Sequence, residues 1–433
     1  MSSARKKILF VAMQNSPHTV RWINQISGGP WDIHLFPMND IPVHPGLRNV
    51  TVHQPWFVLR RPMLPSLLKR PGLLFGRLGE LVSETAPPGQ RIEAIHRLPV
   101  MQRFNPFMDA TRPVSLGESG MTAPAAYGPA MLSKLIKQLK PDLIHSLEFQ
   151  HCGYNVLAAR ELTGKQGFPV WLATNWGSDI YHFSHQTGHR STLTRLLKSA
   201  DFYSCECHRD IELARELGFA GQVMPVIPNA GGFDLHTVAT RRQLRRPSQR
   251  KLILVKGYQS FAGRALTALD AVEQCESELQ GTMIRVYSAS LETKARVSEL
   301  KASTRLDIDI LEHASHDAML RLFGRARLYL GVSISDGIST SMLEAMAMGA
   351  FPVQTHTACC SEWFKDGESG FAIPPDDLPV IVDRLRRALT DDALVDRASD
   401  LNWETVQSRL DQDAIQRVAL GFYETIFAEN PAP

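Results

Sequence analysis

The chain has 433 residues, 44 % of them hydrophobic and 21 % charged, with a formal net charge of +3 at pH 7. That composition excludes a disordered chain, and so small and evenly spread a charge excludes a footprint for nucleic acid. The length suits one very large domain or two ordinary ones, at roughly 100–200 residues each.

The first residues are basic and then apolar, like a secretory leader. The apolar run Ile8–Met13 is shorter than a leader's core, and no small-residue cleavage site follows. It reads instead as a buried strand (6–13). A helix (18–27) and strands at 31–38 and 49–56 come next. After an irregular stretch, helix 127–139 leads to strand 141–148, helix 153–162 to strand 169–175, helix 191–200 to strand 201–206, and helix 209–218 to strand 222–228. Continuous apolar strands alternating with helices predict a parallel sheet covered on both faces, the doubly wound α/β arrangement. Residues 229–250 carry glycines and a basic cluster without apolar period, and read as a linker. Then the pattern restarts, with strands at 251–257, 282–288, 306–312, 327–333, 351–355 and 370–375. The expectation is two Rossmann-like domains facing each other across a cleft, 1–228 and 229–404. A helical segment, 405–433, should pack back toward the first. No run approaches the ~18–20 apolar residues of a membrane span.

Cys205 and Cys207 flank Glu206, and Cys359 and Cys360 are adjacent. Neither pair has the gap of a structural zinc site, so the reading is no metal and no cofactor, with buried reduced thiols in a cytoplasmic protein. Asp307 and Asp309 lie on a strand and read as edge decoration. Residues 57–79 hold Arg60, Arg61, Lys69, Arg70 and Arg77 among leucines, without an acid. They read either as a peripheral contact with an anionic membrane face or as an arm packed on the first domain.

The richest passage is SISDGISTSMLEAMAMGAFPV, residues 333–353. A strand ends, Asp336-Gly337 turns, and a helix starts near Ser339, Thr340 and Ser341. A helix start offers free N–H groups and a dipole that favour an anion, phosphate above all. Ser341 and Glu344 also fit a capping box, which explains Glu344 but not Asp336-Gly337.

Together with EWFKDGESGFAIPP (362–375), this passage resembles the donor-site signature of glycosyltransferase family four, the glycosyl transferases group 1. These are retaining GT-B enzymes that use nucleotide sugars. The matching pattern is an acid and Gly, a hydroxyl-rich run, Leu-Glu-Ala-Met-Ala, Gly and Pro-Val, then Glu362, Asp366, Gly367 and Gly370. SPHTVRW (16–22), PDLIHS (141–146), NWGSDI (175–180) and VIPNAGGFD (226–234) resemble further family segments in the right order. The resemblance implies that Glu344 binds the nucleotide ribose. Asp336, where the family usually has Glu, would hold donor-sugar hydroxyls. The helix start with Gly337, Ser339, Thr340 and Ser341 would take the diphosphate. Lys256 and Arg264 would neutralise the leaving group, though in an altered order. The family's His before the Gly of the Gly-Ser-Asp turn is here Trp176, so His18, His182 and Asp179 are the first-domain candidates, with Asp179 alternatively a helix cap. The implied reaction moves a sugar from a UDP- or GDP-sugar to a carbohydrate or lipid-linked acceptor hydroxyl, with retention and without a metal. The altered cation loop, Trp176 and VYSAS (286–290) also fit a non-catalytic partner subunit; a nucleotide-sugar epimerase is the other alternative.

Overall fold

A computed structural model describes residues 5–38, 43–53, 90–92, 113–115, 122–124, 128–164, 166–242, 245–312 and 314–430. The basic segment 57–79 and the end of the expected strand 49–56 lie outside them.

The chain forms two compact units. The first comprises Met1–Cys205, Ile211–Ala230 and Gln416–Pro433; the second comprises Glu206–Asp210 and Gly231–Ile415. These limits differ from the expected ones. The short stretch Glu206–Asp210 belongs with the second unit, and the exchange at the C-terminus falls near residue 415 rather than 404.

The first unit is built on β1 (Lys7–Ala12), β2 (Asp32–Pro37), β3 (Val50–Val52), β4 (Gln90–Ile92), β7 (Leu143–Leu147), β8 (Val170–Thr174), β9 (Phe202–Ser204) and β10 (Gln222–Val223). Their order is β10-β9-β8-β7-β1-β2-β3-β4, and every ladder is parallel. A separate antiparallel pair, β5 (Pro113–Ser115) and β6 (Thr122–Pro124), lies in the intervening sequence. Ile8 to Ala12 are fully buried, as a central strand covered on both faces requires. The helix Pro17–Ile26 starts where Ser16 Oγ accepts from His18 N and Pro17 fills the first turn, and it buries Trp22, Ile23 and Ile26.

The C-terminal stretch is not one helix. It breaks at Leu410-Asp411 into Asp392–Arg409 and Gln412–Glu429, where Phe233 exchanges main-chain hydrogen bonds with Leu410 and Gln412. The last helix supplies Tyr423 to a buried polar chain in the first unit. Trp22 Nε1 donates to Tyr423 Oη at 2.8 Å; Tyr423 Oη lies 2.9 Å from His145 Nδ1, and His145 Nε2 lies 2.7 Å from Thr174 Oγ1. Burial pushes His145 down to about 3, so it is neutral near pH 7. Tyr423→Phe would leave the Trp22 N–H and His145 Nδ1 without partners, at about 1–3 kcal/mol for each orphaned group. The expected result is a clear loss of stability in urea unfolding, with little change in fold. An unchanged midpoint would mean that water replaces the hydroxyl. Because folding depresses the His145 pKa below its unfolded value near 6.5, its contribution is complete above that pH. It is lost as pH falls from there toward about 3.

The second unit holds β11 (Leu252–Lys256), β12 (Met283–Tyr287), β13 (Asp307–Ile310), β14 (Leu328–Gly331), β15 (Phe351–Thr355) and β16 (Phe371–Ile373). The order is β13-β12-β11-β14-β15-β16, again all parallel. Asp307 and Asp309 sit on the edge strand β13, paired with Arg285 and Lys301. The expected linker 229–250 is partly helical. Asp234 caps Leu235–Arg241 by accepting from Thr237 N. Its arginines are structural: Arg242 Nη1 donates to Ala347 O at 2.6 Å and Arg250 Nη1 to Ala326 O at 3.1 Å, which satisfies helix C-termini. Arg246 pairs with Asp400.

Candidate functional site

In an open parallel sheet, ligands bind beyond the carboxyl ends of the strands, where the strand order reverses. In the second unit that reversal lies between β11 and β14. Lys256 ends β11, and Asp336 lies in the loop after β14. Lys256 Nζ is 3.9 Å from Asp336 Oδ2, with the side chains 30 % and 25 % exposed. Burial pushes the Asp336 carboxyl above its ordinary value, and Lys256 offsets this only in part. Burial also opposes the Lys256 charge, but Tyr329, Asp336, Tyr258 and Glu344 outweigh it and hold the ammonium above its ordinary value. The pair is therefore a fixed cation beside an acid that holds its proton more readily than a free carboxylate.

The Asp336 loop is braced from below. Arg209 Nη2 donates to Asp336 O at 2.9 Å and Nη1 to Thr357 O at 2.7 Å, while Asp336 N donates to Thr357 O. Asp336 Oδ1 accepts from Gly337 N. The strand end needs Gly331, since a Cβ there would lie 2.2 Å from Tyr329 Oη and 2.6 Å from Gln354 Oε1. Tyr329 Oη in turn donates to Gln354 Oε1 at 3.0 Å and lies 3.1 Å from Ser339 Oγ.

The helix Thr340–Met348 begins after Ser339, whose Oγ accepts from Met342 N. The expected capping box is thus corrected. Ser339 is the cap, Ser341 is the second helical residue, and Glu344 lies too far along to reach back. Glu344 is 7 % exposed, and its Oε1 is 2.8 Å from His316 Nε2. With one oxygen engaged by His316, the other remains as an acceptor.

Arg264 precedes the helix Ala265–Gln274, and its Nη1 donates to the carbonyls of Ser260 and Gly263 at 3.0 and 2.9 Å. Its own N–H donates to Val332 O, and Ile334 N donates to Ala262 O, so this loop is stitched to the segment leading to Asp336. No hydrogen bond or ion pair joins Arg264 to Lys256 or Asp336 among the described residues. In VYSAS, Ser288 adopts φ 52°, the left-handed conformation a glycine would favour.

In the first unit the strand order reverses between β1 and β7. His18 opens the helix after β1, and its ring centroid is 5.6 Å from that of Trp176. Asp179 is buried and holds main chain: its Oδ2 accepts from Trp176 N at 2.7 Å and Phe149 N at 2.9 Å. Sequence reasoning missed Glu148 and His151. Glu148, at φ 80°, accepts from the N–H groups of His151 and Cys152, and its Oε1 lies 3.1 Å from His151 Nδ1. The Glu148 charge raises His151 above its ordinary value against the effect of burial. A Glu three positions before a His-Cys pair gave no periodic or motif signal.

Residues 239–402 match the family model of the glycosyl transferases group 1, and residues 128–205 match the glycosyl transferase 4-like model. Among solved structures, sucrose-phosphate synthase from Thermosynechococcus elongatus is 17 % identical and aligns over 98 % of this chain and 100 % of its own, at a TM-score of 0.66. The fold is GT-B. HepE of Anabaena, in complex with UDP and glucose, is 14 % identical over 98 % of this chain and 100 % of its own, at 0.61. A glycosyltransferase from Rickettsia africae is 12 % identical over 99 % and 100 %, at 0.58. A search among curated proteins finds no match. Among the described residues, no helix of this GT-B chain is long and apolar enough to cross a membrane.

Proposed function

We propose that the chain transfers a sugar from a nucleoside diphosphate sugar to an acceptor hydroxyl, with retention at the anomeric carbon. The observation that carries this reading is the Lys256–Asp336 pair at the strand-order reversal of a unit whose sequence matches the group 1 glycosyl transferases. The start of the helix Thr340–Met348 follows Asp336 by a few residues, and Glu344 lies one turn further along it. This set offers what a nucleotide sugar requires. N–H groups and the Thr340 and Ser341 hydroxyls suit phosphate oxygens. Glu344 suits the paired ribose hydroxyls, and Asp336 suits the sugar hydroxyls. Lys256 opposes the charge that grows on the diphosphate as the glycosidic bond breaks. No protein nucleophile is assigned: in front-face transfer the departing phosphate takes the acceptor proton. A carbohydrate or lipid-linked acceptor fits this chemistry, and GT-B neighbours solved with UDP and with UDP-glucose support a nucleotide-sugar donor.

Arg264 acts in this reading as a preorganised cation, one Nη fixed on its own loop. Arg264→Ala should lower the transfer rate at saturating donor by at least about tenfold. The assay is release of nucleoside diphosphate. Full activity would make this arginine a loop brace alone. That anchoring also favours a second reading, a nucleotide-binding partner subunit without transfer. A thermal-shift panel of nucleoside diphosphates and their sugars, followed by turnover of whichever stabilises the chain, separates the two. Saturating ligand at 100 Kd should add about 2.7 kcal/mol. Stabilisation without release of diphosphate would leave the binding subunit, and no stabilisation by any member would remove both.

A further inference from the structure

Outside the Lys256–Asp336–Glu344 set, the second unit brings together three metal-ligating side chains far apart in sequence. Cys207 Sγ and Cys359 Sγ are 2.9 Å apart, and a Glu362 carboxylate oxygen lies with them within a mutual distance of 4.8 Å. Neither cysteine has a partner at zinc spacing in sequence, because the pairing crosses 152 residues and joins one member of each neighbouring cysteine pair. We propose that Cys207, Cys359 and Glu362 form a binding site for one thiophilic divalent cation of the zinc class.

The geometry suits such an ion. With Zn–S bonds of about 2.3 Å, two thiolates at a tetrahedral angle stand about 3.8 Å apart, so the pair need open by less than ~1 Å. Both cysteines are buried, whereas Glu362 is partly exposed and lines a groove with Ser361, Lys365 and Ser408. Glu362 is oriented by a neighbour, as carboxylate ligands commonly are. His208 N donates to Oε1 and His208 Nδ1 lies 2.9 Å from Oε2. His208 is mostly exposed, and water completes the coordination.

The nearby Arg209 does not forbid the cation. Its guanidinium is paired with the fully buried Asp210 at 2.9 Å, and its other donors go to Thr357 O and Asp336 O. Arg209 and Asp210 together are neutral. Two thiolates and a carboxylate then carry three negative charges that a divalent cation reduces to one. Cys359 is held at φ 47°, a conformation disfavoured for a residue with a Cβ. Binding releases the thiol protons to solvent, so affinity rises with pH. Since Arg209 and Thr357 also hold the Asp336 loop, an ion here braces the site of the proposed transfer.

The test is titration of the reduced, chelator-treated full chain with cobalt(II), read as near-ultraviolet thiolate-to-cobalt absorption, with zinc competing. The expected result is one equivalent bound and displaced by zinc. C207S and C359S should lose the absorption, and E362Q should keep it with at least tenfold weaker affinity. C275S should match the parent, because Cys275 lies elsewhere, against Val382 O. E362Q replaces a partly exposed side chain and should fold even where a buried Cys→Ser variant does not. The absence of thiolate–cobalt absorption overturns the proposal. So does undiminished affinity in E362Q, or a purified chain whose Cys207 and Cys359 form a disulfide with no metal bound under reducing conditions.

Discussion

Lys256→Ala is expected to lower the transfer rate at saturating donor by about 10²–10³-fold while leaving the fold intact. Lys256 is the last residue of β11, so its main chain stays in the ladder with β12 whatever its side chain. In the proposed transfer the ammonium faces a leaving group whose charge grows as the sugar departs. Its contact is therefore stronger in the transition state than in the ground state, and its loss appears in kcat as well as in KM. A second effect separates chemistry from simple damage. Asp336 already sits above its ordinary carboxylate pKa because it is buried, and Lys256 is the largest influence pulling it back. Removing Lys256 raises the Asp336 pKa further. Since in the proposed site Asp336 accepts from sugar hydroxyls most strongly when ionised, the acid limb of the pH–rate profile should move to higher pH in Lys256→Ala. Unaltered kcat with an unmoved acid limb would remove Lys256 from the reaction and, with it, the main support for catalysis over mere nucleotide binding.

The alternation of apolar runs made both sheets legible, because strands such as Ile8–Ala12 and Leu252–Val255 are buried on both faces and carry no alternation of polar residues. The strand-order reversal that places Lys256 beside Asp336 is a matter of topology; the resemblance to a family implied a role for each residue but not their contact. Four features were hidden for identifiable reasons. The helix Leu235–Arg241 is short and polar, held by its Asp234 cap and by tertiary contacts of the following arginines rather than by an apolar stripe. Glu206–Asp210 joins the second unit through Arg209, whose partners Asp336 and Thr357 are more than a hundred residues away. Asp179 read equally as an acceptor-side group or a helix cap, and the sequence did not show that its Oδ2 accepts from the N–H groups of Phe149 and Trp176. The capping-box reading of Ser341 and Glu344 failed by two residues, because Ser339 takes the cap and Glu344 turns to His316 instead. Hydroxyl-rich helix starts permit several registers, and the choice is made by packing: Ser339 is tied to Tyr329, a fully buried residue of β14.

Glu344→Gln is expected to weaken nucleoside diphosphate binding by about 10- to 150-fold, the equivalent of about 1.5–3 kcal/mol for a charge-assisted hydrogen bond. Glutamine keeps the volume of a side chain that is 7 % exposed and keeps an oxygen able to accept from His316 Nε2, so the helix Thr340–Met348 should not suffer. What it removes is the anionic acceptor proposed for the vicinal hydroxyls of a ribose. The effect should therefore be shared by the diphosphate and its sugar, and should fall on affinity rather than on kcat, because the ribose is remote from the bond that breaks. His316→Ala supplies the contrast. His316 is half exposed and engages one oxygen only, so its loss frees that oxygen without removing the charge, and affinity should change by less than about tenfold. Calorimetric titration of the parent and both variants with UDP and with GDP, alongside urea unfolding, reads all of this. Were Glu344→Gln to bind the preferred diphosphate as tightly as the parent while only its unfolding midpoint fell, Glu344 would be a structural partner of His316, and the ribose would have to be held elsewhere on the carboxyl edge of the second sheet.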